Sequence, residues 1–583
     1  MQQTRSIGRS VLVALSLLSA CAAADPSAAT VDEAASVPLT RREQDTAPQT
    51  GEAAALLAAR FAASQGDIRY AADQFLKALA HNPDDADLRK QAFLSALLAD
   101  RPEAADLARQ DPDNPVAILL LADIEAIHGN WAAAEKRITS LPKEGLTQLL
   151  QPLLLAWVQF GAGHANAALG QLHPDIDNER IRAVYAFHDA LIADLAGRNE
   201  DAARLYKAAQ AGFGQANLDL VRALASWQAR QGHPAAARQT LAAVNDMGEE
   251  LAVSTPRLIA SMSTRPVGSA TQGLAAVYLA FAGLLRQQES GDYAAVMLRL
   301  ALDLRPDFTE ARLVAAEAID SNKHPEAALA MLAPVEASDP LAPSVDMRRA
   351  ALYDRIGSTD EALRTLAALT TAVPDRPEPW ALQGAILRSQ HRYAEAVTAY
   401  TRALSLMGPP SRQHWPLYYE RGIAEERGHM WPAAEADFLK ALDLSPNEPS
   451  VLNYLGYSWT EQGHNLPRAH DMIARAAQDR PNDGAIVDSL GWVQLRQGET
   501  AAAVKSLERA SEMEPEDATI NGHLGDAYWA AGRKLLAEYQ WRRALTLNPE
   551  PEDAAHFQAR LHEAEQQLGA PAKSAAAAVK TQP

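Results

Sequence analysis

The feature that most constrains this chain is a residue pattern that returns about every 34 positions. In its clearest copies an alanine is followed by a large apolar residue, a second alanine and a proline, as in Ala503, Leu507, Ala510 and Pro515. Offsets of four and seven place the first three side chains on one face of an α-helix, and the proline terminates that helix. A chain that repeats such a unit stacks helices on their neighbours instead of building a single core.

Copies of this pattern extend over most of the chain. The first alanine lies at residues 71, 134, 168, 202, 237, 294, 328, 362, 396, 434, 469, 503 and 537. Because each of these anchors marks the second helix of a helical pair, the sequence predicts about thirteen hairpins, with a degenerate one near Ala105. The gap of 57 residues between positions 237 and 294 leaves 23 surplus residues, which we assign to an irregular connector.

A glycine precedes the anchor in several copies, inside the first predicted helix of the pair. A glycine in a helix interior costs about 1 kcal/mol relative to alanine, so a packing contact has to offset it. We expect the missing side chain to allow close approach of the second helix. The glycines, each twelve residues before an anchor, are Gly384, Gly422, Gly491 and Gly525.

Composition and motif spacing argue against several classes of function. The formal net charge of -19 disfavours nucleic-acid binding, since an acidic surface repels phosphates. A single cysteine, Cys21, excludes an intrachain disulfide, and the 15 histidines lack metal-ligand spacing, so we expect no metal and no cofactor. Asp488-Ser489-Leu490 could suggest a serine nucleophile, but Ser489 has no counterpart in the neighbouring copies. The sequence therefore favours a protein without catalytic activity.

The N-terminus has the three regions of a secretory signal, namely two arginines, an apolar run over residues 11–18 and small residues before Cys21. The stretch Leu-Ser-Ala-Cys at 18–21 resembles the lipobox of bacterial lipoproteins, in which the signal is removed and the cysteine is acylated. This resemblance implies a lipid anchor on Cys21. Ala22 in place of aspartate at the next position implies sorting to the outer membrane. The alternative is that Cys21 is a small residue at an ordinary cleavage site.

The repeated pattern resembles the tetratricopeptide repeat, a helical hairpin of about 34 residues. Leu-Gly at 524–525 with Tyr528 matches the first helix of that repeat, and Trp380 with Gly384 supplies its tryptophan in another copy. The resemblance implies an all-α superhelical solenoid whose inner surface is lined by the first helix of each pair. Residues 452–545 are similar to proteobacterial tetratricopeptide lipoproteins, some of which act as outer-membrane adaptors that present cell-wall hydrolases to carboxy-terminal processing proteases.

In tetratricopeptide proteins the positions that face the ligand flank the glycine of the first helix. By that resemblance, the partner-binding groove comprises Tyr419, Glu426, Asn453, Tyr457, Asp488, Trp492, Asp526 and Trp529. Aromatic rings would anchor a protein or peptide partner, and the carboxylates would select basic or amide-rich segments. The alternative is that Tyr457 and Trp492 pack between adjacent hairpins.

These features predict a division of the chain into six segments. We expect a lipoprotein signal peptide over 1–20, a flexible tether over 21–51, an N-terminal solenoid over 52–245, a connector over 246–269, a C-terminal solenoid over 270–565 and a disordered tail over 566–583. Whether the connector is a hinge or a packed element stays open at this point.

The leading hypothesis is a non-catalytic scaffold or adaptor, lipid-anchored to the outer membrane and facing the periplasm. Its expected partners are proteins or peptides, including a periplasmic protease and its cell-wall hydrolase substrates. The alternative is a structural component of an envelope machine for polysaccharide export or outer-membrane assembly. An enzyme is disfavoured, and isologous dimerisation through an end hairpin stays open.

Overall fold

The computed structural model describes residues 51–170, 179–214, 216–286 and 291–568. Within these ranges the regular structure is helical, without a β-strand. The contacts divide the chain into two units, which we call unit 1, ending at Pro374, and unit 2, beginning at Asp375. The predicted all-α fold is therefore confirmed for the described part of the chain.

The α-helices of the described ranges follow one another through both units. Unit 1 begins with α1 (Glu52–Ser64), α2 (Ile68–His81), α3 (Ala86–Leu98), α4 (Glu103–Gln110), α5 (Pro115–Ile127), α6 (Trp131–Thr139), α7 (Gly145–Gly161), α8 (Ala165–Gly170), α9 (Glu179–Leu195), α10 (Asn199–Phe213), α11 (Leu218–Arg230) and α12 (Pro234–Ala242). It continues with α13 (Glu249–Ala252), α14 (Thr255–Ala260), α15 (Ala270–Arg286), α16 (Gly291–Leu304), α17 (Thr309–Ser321), α18 (Pro325–Leu332), α19 (Ala342–Arg355) and α20 (Thr359–Ala372). Unit 2 contains α21 (Glu378–Ser389), α22 (Tyr393–Leu406), α23 (Trp415–Arg427), α24 (Trp431–Leu444), α25 (Pro449–Glu461), α26 (Leu466–Asp479), α27 (Gly484–Arg496), α28 (Thr500–Met513), α29 (Ala518–Ala530), α30 (Lys534–Thr546) and α31 (Pro551–Leu568). None of the helices in the described ranges combines the length and the apolar character that crossing a bilayer requires.

Consecutive helices pair into hairpins. The described helices form fourteen of them, from α1–α2 to α11–α12 before the connector and from α15–α16 to α29–α30 after it. The sequence predicted about thirteen, and the additional hairpin is α3–α4, at the position of the degenerate copy. Its second helix has only eight residues but still buries Ala104 and Leu107. The last helix, α31, packs on α30 at the end of unit 2.

The repeated apolar positions form the core between the two helices of a hairpin. Ala503, Leu507 and Ala510 of α28 are fully buried. The helix ends at Met513, two residues before Pro515. Proline lacks the amide N–H that would continue the helical hydrogen bonds, and its ring disfavours helical geometry in the residue before it. The pattern therefore marks both the packed face and the end of the second helix, as predicted.

The glycines of the first helices lie where the second helix of the same hairpin approaches. A Cβ added at Gly525 would be 2.5 Å from the Trp541 ring, and one at Gly422 would be 2.7 Å from the Phe438 ring. These short distances confirm the predicted close approach. The burial of a large side chain over the glycine offsets the low helix propensity of the glycine. Equivalent contacts join Gly384 to Tyr400 and Gly491 to Leu507.

The residues between α12 and α15 are packed against other parts of unit 1. Val253 and Leu258 are buried. The Ser254 hydroxyl lies 2.7 Å from the hydroxyl of Ser344 in α19 and accepts a hydrogen bond of 3.0 Å from the Ser344 N–H. The connector is thus a packed element of unit 1. The boundaries predicted for the two solenoid segments stay a prediction.

Helix α15 joins parts of unit 1 that are distant in sequence, since it contacts α5, α7 and α9. Its Tyr278 hydroxyl donates a buried hydrogen bond of 3.1 Å to Asp123. Gly273 lies directly against the Trp157 ring, without room for a Cβ. The Trp157 Nε1–H in turn donates to His188 Nδ1 over 3.0 Å. These contacts make α15 part of the core of unit 1.

Candidate functional site

The predicted groove residues lie on the first helices of four hairpins of unit 2. Helices α25 and α27 contact each other, as do α27 and α29, so these three form a continuous row. The predicted lipidation site, Cys21, lies outside the described residues. By helix, the groove residues are Tyr419 and Glu426 on α23, Asn453 and Tyr457 on α25, Asp488 and Trp492 on α27, and Asp526 and Trp529 on α29.

Three of the predicted residues meet at a histidine that the sequence analysis did not select. His523 of α29 is buried, and its ring stacks on the Trp492 ring with centroids 4.1 Å apart and an interplanar angle of 15°. Its Nδ1 lies 2.9 Å from Asp488 Oδ2, and its ring is 6.3 Å from that of Tyr457. Ser489 occupies the equivalent position in the preceding copy. Alignment of the repeats therefore gives the place of residue 523 in its helix, but it does not indicate which residues the histidine contacts.

The Asp488–His523 pair joins two successive first helices. Burial disfavours the charged imidazole of His523. The attraction of Asp488, reinforced by Asp526 and Glu461, outweighs this effect and raises the pKa of His523 above its usual value. Asp488 is also buried, and its carboxylate is paired with His523 of the same chain.

Asp526 is engaged in the same way by α31. It is buried, with its carboxylate 2.9 Å from His556 Nε2 and 3.1 Å from Arg560 Nε, which donates to it. Burial alone would raise the pKa of Asp526, but the hydrogen bonds and charges of His556 and Arg560 outweigh burial and lower it. A partner contact of Asp488 or Asp526 stays a prediction.

The two predicted tryptophans are half-buried and have polar neighbours. The Trp492 Nε1–H donates to Glu461 of α25, and the Arg496 guanidinium lies 5.7 Å from the Trp492 ring centroid. Trp529 is 5.6 Å from the buried Trp541, with Lys534 Nζ at 5.0 Å from its ring centroid. Each ring thus has both intrachain packing and an exposed fraction.

Two of the remaining predicted residues, Tyr419 and Glu426, meet Tyr454 in a second cluster between α23 and α25. The Tyr454 hydroxyl donates to Glu426 over 3.2 Å, and the Tyr419 ring is 5.8 Å from that of Tyr454. Asn453 Oδ1 is buried and accepts no hydrogen bond from the described residues. A buried amide oxygen without a donor is unfavourable by roughly 1–3 kcal/mol.

We expect unit 2 to lose stability as the pH rises above about 6.5 and through the raised folded-state pKa values of His523 and His556. The hydrogen bond to Asp526 raises the pKa of His556, and the pKa of His523 is raised as well. A group whose pKa is higher in the folded state contributes stability that is complete below its unfolded pKa, about 6.5 for histidine, and that is lost as the pH passes the folded pKa. Urea unfolding monitored by hydrogen exchange of unit 2 measures this loss. The double variant His523→Gln/His556→Gln should show a weaker pH dependence; an undiminished one would assign the effect to other groups.

The geometry offers no nucleophile paired with a base at Asp488-Ser489-Leu490. The Ser489 hydroxyl donates to the Ala485 carbonyl over 3.0 Å, within α27. His523, the nearest histidine of this cluster, is bonded to Asp488 instead. Within the described residues no three His, Cys, Asp or Glu side chains converge as a metal site. What the row of helices presents is a surface of aromatic rings with polar edges.

Comparison with known proteins bears on the repeat assignment. The family model described as tetratricopeptide repeat matches residues 347–414, 381–449 and 489–550. The human protein named tetratricopeptide repeat protein 13 is 33% identical over 108 residues, which are 18% of this chain and 12% of that protein. The chain therefore spans about an eighth of the curated relative that it matches.

Several crystal structures are similar at low sequence identity. A tetratricopeptide repeat protein from Parabacteroides merdae is 15% identical, with a TM-score of 0.36, and the match covers 44% of this chain and 98% of that one. A chain of the APC/C hetero-tetramer Cut9–Hcn1 is 14% identical, with a TM-score of 0.37 and coverage of 90% and 98%. YrrB, described as a TPR protein with an unusual peptide-binding site, is 19% identical, with a TM-score of 0.27 and coverage of 33% and 97%. From the matched residues and the observed hairpins, the chain contains tetratricopeptide repeats over 347–449 and 489–550, within an all-α array of helical hairpins.

Proposed function

We propose that this chain is a non-catalytic scaffold that binds protein partners through the first helices of unit 2. The observation that carries the proposal is that Tyr457, Trp492 and Trp529, on the successive first helices α25, α27 and α29, each keep an exposed fraction. Amphipathic aromatic rings supply much of the binding energy in protein interfaces.

The charge of this face favours a particular kind of partner. Glu426 and Glu461 accept hydrogen bonds from Tyr454 and Trp492, and Glu426 also lies 3.7 Å from Arg427. Each carboxylate can accept further hydrogen bonds. A partner segment rich in amide or basic donors would complement them. We therefore propose a peptide segment with such donors as the ligand of this face.

Site-specific photocrosslinking in cells tests the binding face. A benzophenone side chain at position 492 or 529 is expected to capture a discrete partner, identified by mass spectrometry. The matched control carries the same group at Lys505, which is exposed on α28, a second helix of the same unit. Equal capture from position 505, or no capture from 492 and 529, would contradict the proposed face.

We further propose that lipid on Cys21 holds the chain at the periplasmic face of a bacterial outer membrane. Several acyl chains give stable membrane binding because each buried methylene contributes about 0.8 kcal/mol, whereas a single chain is marginal. The Cys21→Ser variant is therefore expected to move from the membrane fraction to the soluble fraction. Immunoblots of separated inner and outer membranes measure the distribution, and mass spectrometry of the N-terminal peptide detects acylation. A serine variant that stays on the membrane would exclude this anchor.

The finer proposal is that the scaffold is an adaptor for a carboxy-terminal processing protease and its cell-wall hydrolase substrates. It rests on the resemblance of residues 452–545 to lipoproteins with that role. Affinity purification of the tagged full chain is expected to enrich a protease together with a hydrolase, and the enrichment should decrease in the Trp492→Ala variant. Enrichment of a polysaccharide pore or synthase instead would support the alternative, an envelope export or assembly component.

A further inference from the structure

The first hairpin of unit 1 has an apolar surface that its own packing does not cover. Ala55, Ala59 and Ala62 lie on the buried side of α1. Leu57 and Phe61 lie on the opposite side, where their side chains are 68% and 69% exposed. Because residues four positions apart share one helical face, these two large apolar side chains form a pair that faces away from the hairpin.

The positions of Leu57 and Phe61 are covered in later hairpins. Counted back from the repeated alanine of each hairpin, they correspond to His523 and Ala527 of α29. Both of these residues are buried, and His523 contacts α27 of the preceding hairpin. Within the described ranges no hairpin precedes α1. The apolar pair therefore occupies an inter-hairpin surface that the described part of the chain leaves open.

The last helix of the array has a different outer surface. Helix α31 packs on α30, and its Phe557 lies against Gly522 of α29. The exposed side chains of α31 are mostly polar, as in Gln558, His562 and Gln566. A polar outer face is what the terminal unit of a solenoid needs in water. The apolar surface of α1 therefore indicates a contact that the described residues do not supply.

The charge of this surface indicates what can cover it. The chain carries a net charge of -19, so a negatively charged surface repels most of its faces. The exposed side of α1 differs, since Ala53, Arg60 and Ser64 surround the apolar pair and none of its described side chains is a carboxylate. The Arg60 side chain has no ion pair within the described residues. Apolar and aromatic side chains beside an unpaired cation suit the interface of an anionic bilayer.

The start of α2 extends this surface with residues of the same kind. Ile68 and Tyr70 are 39% and 49% exposed, and Arg69 between them is exposed as well. The neighbouring acid, Asp67, caps α2, since its Oδ1 accepts a hydrogen bond of 3.0 Å from the Tyr70 N–H. Tyrosine and arginine combine an apolar body with a polar end, which suits both to the headgroup region of a membrane.

We propose that the exposed side of α1 and the first turn of α2 contact the surface of a phospholipid bilayer that contains anionic lipids. Leu57 and Phe61 would enter the boundary between headgroups and acyl chains, while Arg60 and Arg69 would contact lipid phosphates. A second copy of the chain is the competing occupant. Pairing the exposed sides of two α1 helices would bury both Arg60 side chains without a carboxylate to pair with them, which is unfavourable.

This inference rests on the proposed lipid anchor, which would keep the first hairpin near a bilayer. Helix α1 is the first described element after Cys21, and thirty residues, 22–51, lie between them. A chain of that length spans at most about 100 Å, so the anchor limits how far the hairpin can move from the membrane. The tether raises the effective concentration of the bilayer at the hairpin, and a reversible contact is then sufficient. Without lipid on Cys21, the contact is too weak to hold the chain on membranes during cell fractionation.

Binding to phospholipid vesicles tests the contact in the absence of the anchor. The chain from residue 21 onward with Cys21→Ser has no acylation site and lacks the apolar run over 11–18, which would itself bind lipid. Co-flotation is measured with vesicles of phosphatidylethanolamine and phosphatidylglycerol, and with neutral vesicles of phosphatidylethanolamine and phosphatidylcholine. We expect binding to the anionic vesicles to be at least about five-fold tighter than binding to the neutral ones. Hydrogen exchange in peptides from residues 52–70 should become slower when the anionic vesicles are added.

Three variants of that chain locate the contact. Leu57→Gln/Phe61→Gln is expected to weaken binding to anionic vesicles by about ten-fold or more. The matched control, Leu535→Gln/Tyr539→Gln, removes a leucine and an aromatic residue, also four positions apart, that are 74% and 61% exposed on α30, and should leave binding unchanged. Arg60→Gln should weaken binding to anionic vesicles by about five-fold and leave binding to neutral ones unchanged. Because all these side chains are exposed, hydrogen exchange without vesicles should match the parent chain.

Absence of binding to anionic vesicles, or equal weakening by Leu535→Gln/Tyr539→Gln, would overturn the proposal. It would also be overturned if light scattering shows two copies of the chain in solution and one copy in Leu57→Gln/Phe61→Gln, since α1 would then be an interface between copies. Failure of the anchor is measured separately. A lack of acylated Cys21 in cells would exclude the anchor, whereas vesicle binding of the Cys21→Ser chain does not depend on acylation.

Discussion

Replacing Trp541 with alanine is expected to lower the free energy of unfolding of unit 2 by about 3 to 5 kcal/mol. The Trp541 side chain is fully buried and fills the space over Gly525 between the two helices of the α29–α30 hairpin. It also packs beside Trp529, and the Arg560 guanidinium of α31 lies 5.6 Å from its ring centroid. Truncation therefore leaves a cavity at the junction of three helices, and the surrounding structure can close it only partly.

Hydrogen exchange measured by mass spectrometry resolves this effect by region, which is necessary because repeat arrays do not always unfold in one step. Faster exchange is expected in peptides from residues 518–568, with unit 1 unaffected. The Trp541→Phe variant is the matched control, since Phe438 occupies the equivalent place over Gly422 and Trp541 Nε1 donates no hydrogen bond within the described residues. Unchanged exchange in the alanine variant would mean that Trp541 is not a major part of this core.

Two glycine-to-alanine substitutions in α15 are expected to change the stability of unit 1 in opposite directions. Gly273→Ala should lower the free energy of unfolding by about 1 to 3 kcal/mol, because the new methyl group collides with the Trp157 ring. That ring cannot move away easily, as it is fully buried and its Nε1–H is bonded to His188. Gly283→Ala should raise the free energy of unfolding by about 0.5 to 1 kcal/mol, because alanine has the higher helix propensity and the space beside Gly283 is open.

Urea unfolding of the full chain with each variant, combined with hydrogen exchange of α15, measures both changes. The two substitutions add the same methyl group to the same helix, so each serves as the control of the other. Destabilisation by both would indicate that the space beside Gly283 is smaller than the structure shows. Stabilisation by both would mean that α15 does not pack on Trp157 as described.

Much of the fold could be predicted from local patterns. Positions four and seven residues apart, such as those of Ala503, Leu507 and Ala510, mark a buried helical face whatever the neighbouring hairpins do. The glycines of the first helices were predictable for a similar reason, since a residue that weakens its own helix needs a compensating contact. The α3–α4 hairpin was harder to recognise because its second helix is short and lacks a clear copy of the pattern.

The candidate site was predictable only in part. The resemblance to tetratricopeptide repeats selected Trp492 and Asp488, but it did not indicate His523, which contacts both, because the equivalent position of the preceding copy is Ser489. Its role depends on how α29 lies beside α27. The burial of Asp526 under α31 likewise depends on a helix that lies outside the repeat pattern.

The sequence by itself determined that the chain forms consecutive helical hairpins, where their second helices end and which faces they bury. These properties follow from residue spacing within one helix or one pair of helices. Only the tertiary structure decided that α15 lies against α5, α7 and α9, that the connector is packed, and that open space remains beside Gly283. Contacts between residues as distant in sequence as Asp123 and Tyr278 depend on the rotation accumulated from hairpin to hairpin, which no local periodicity specifies.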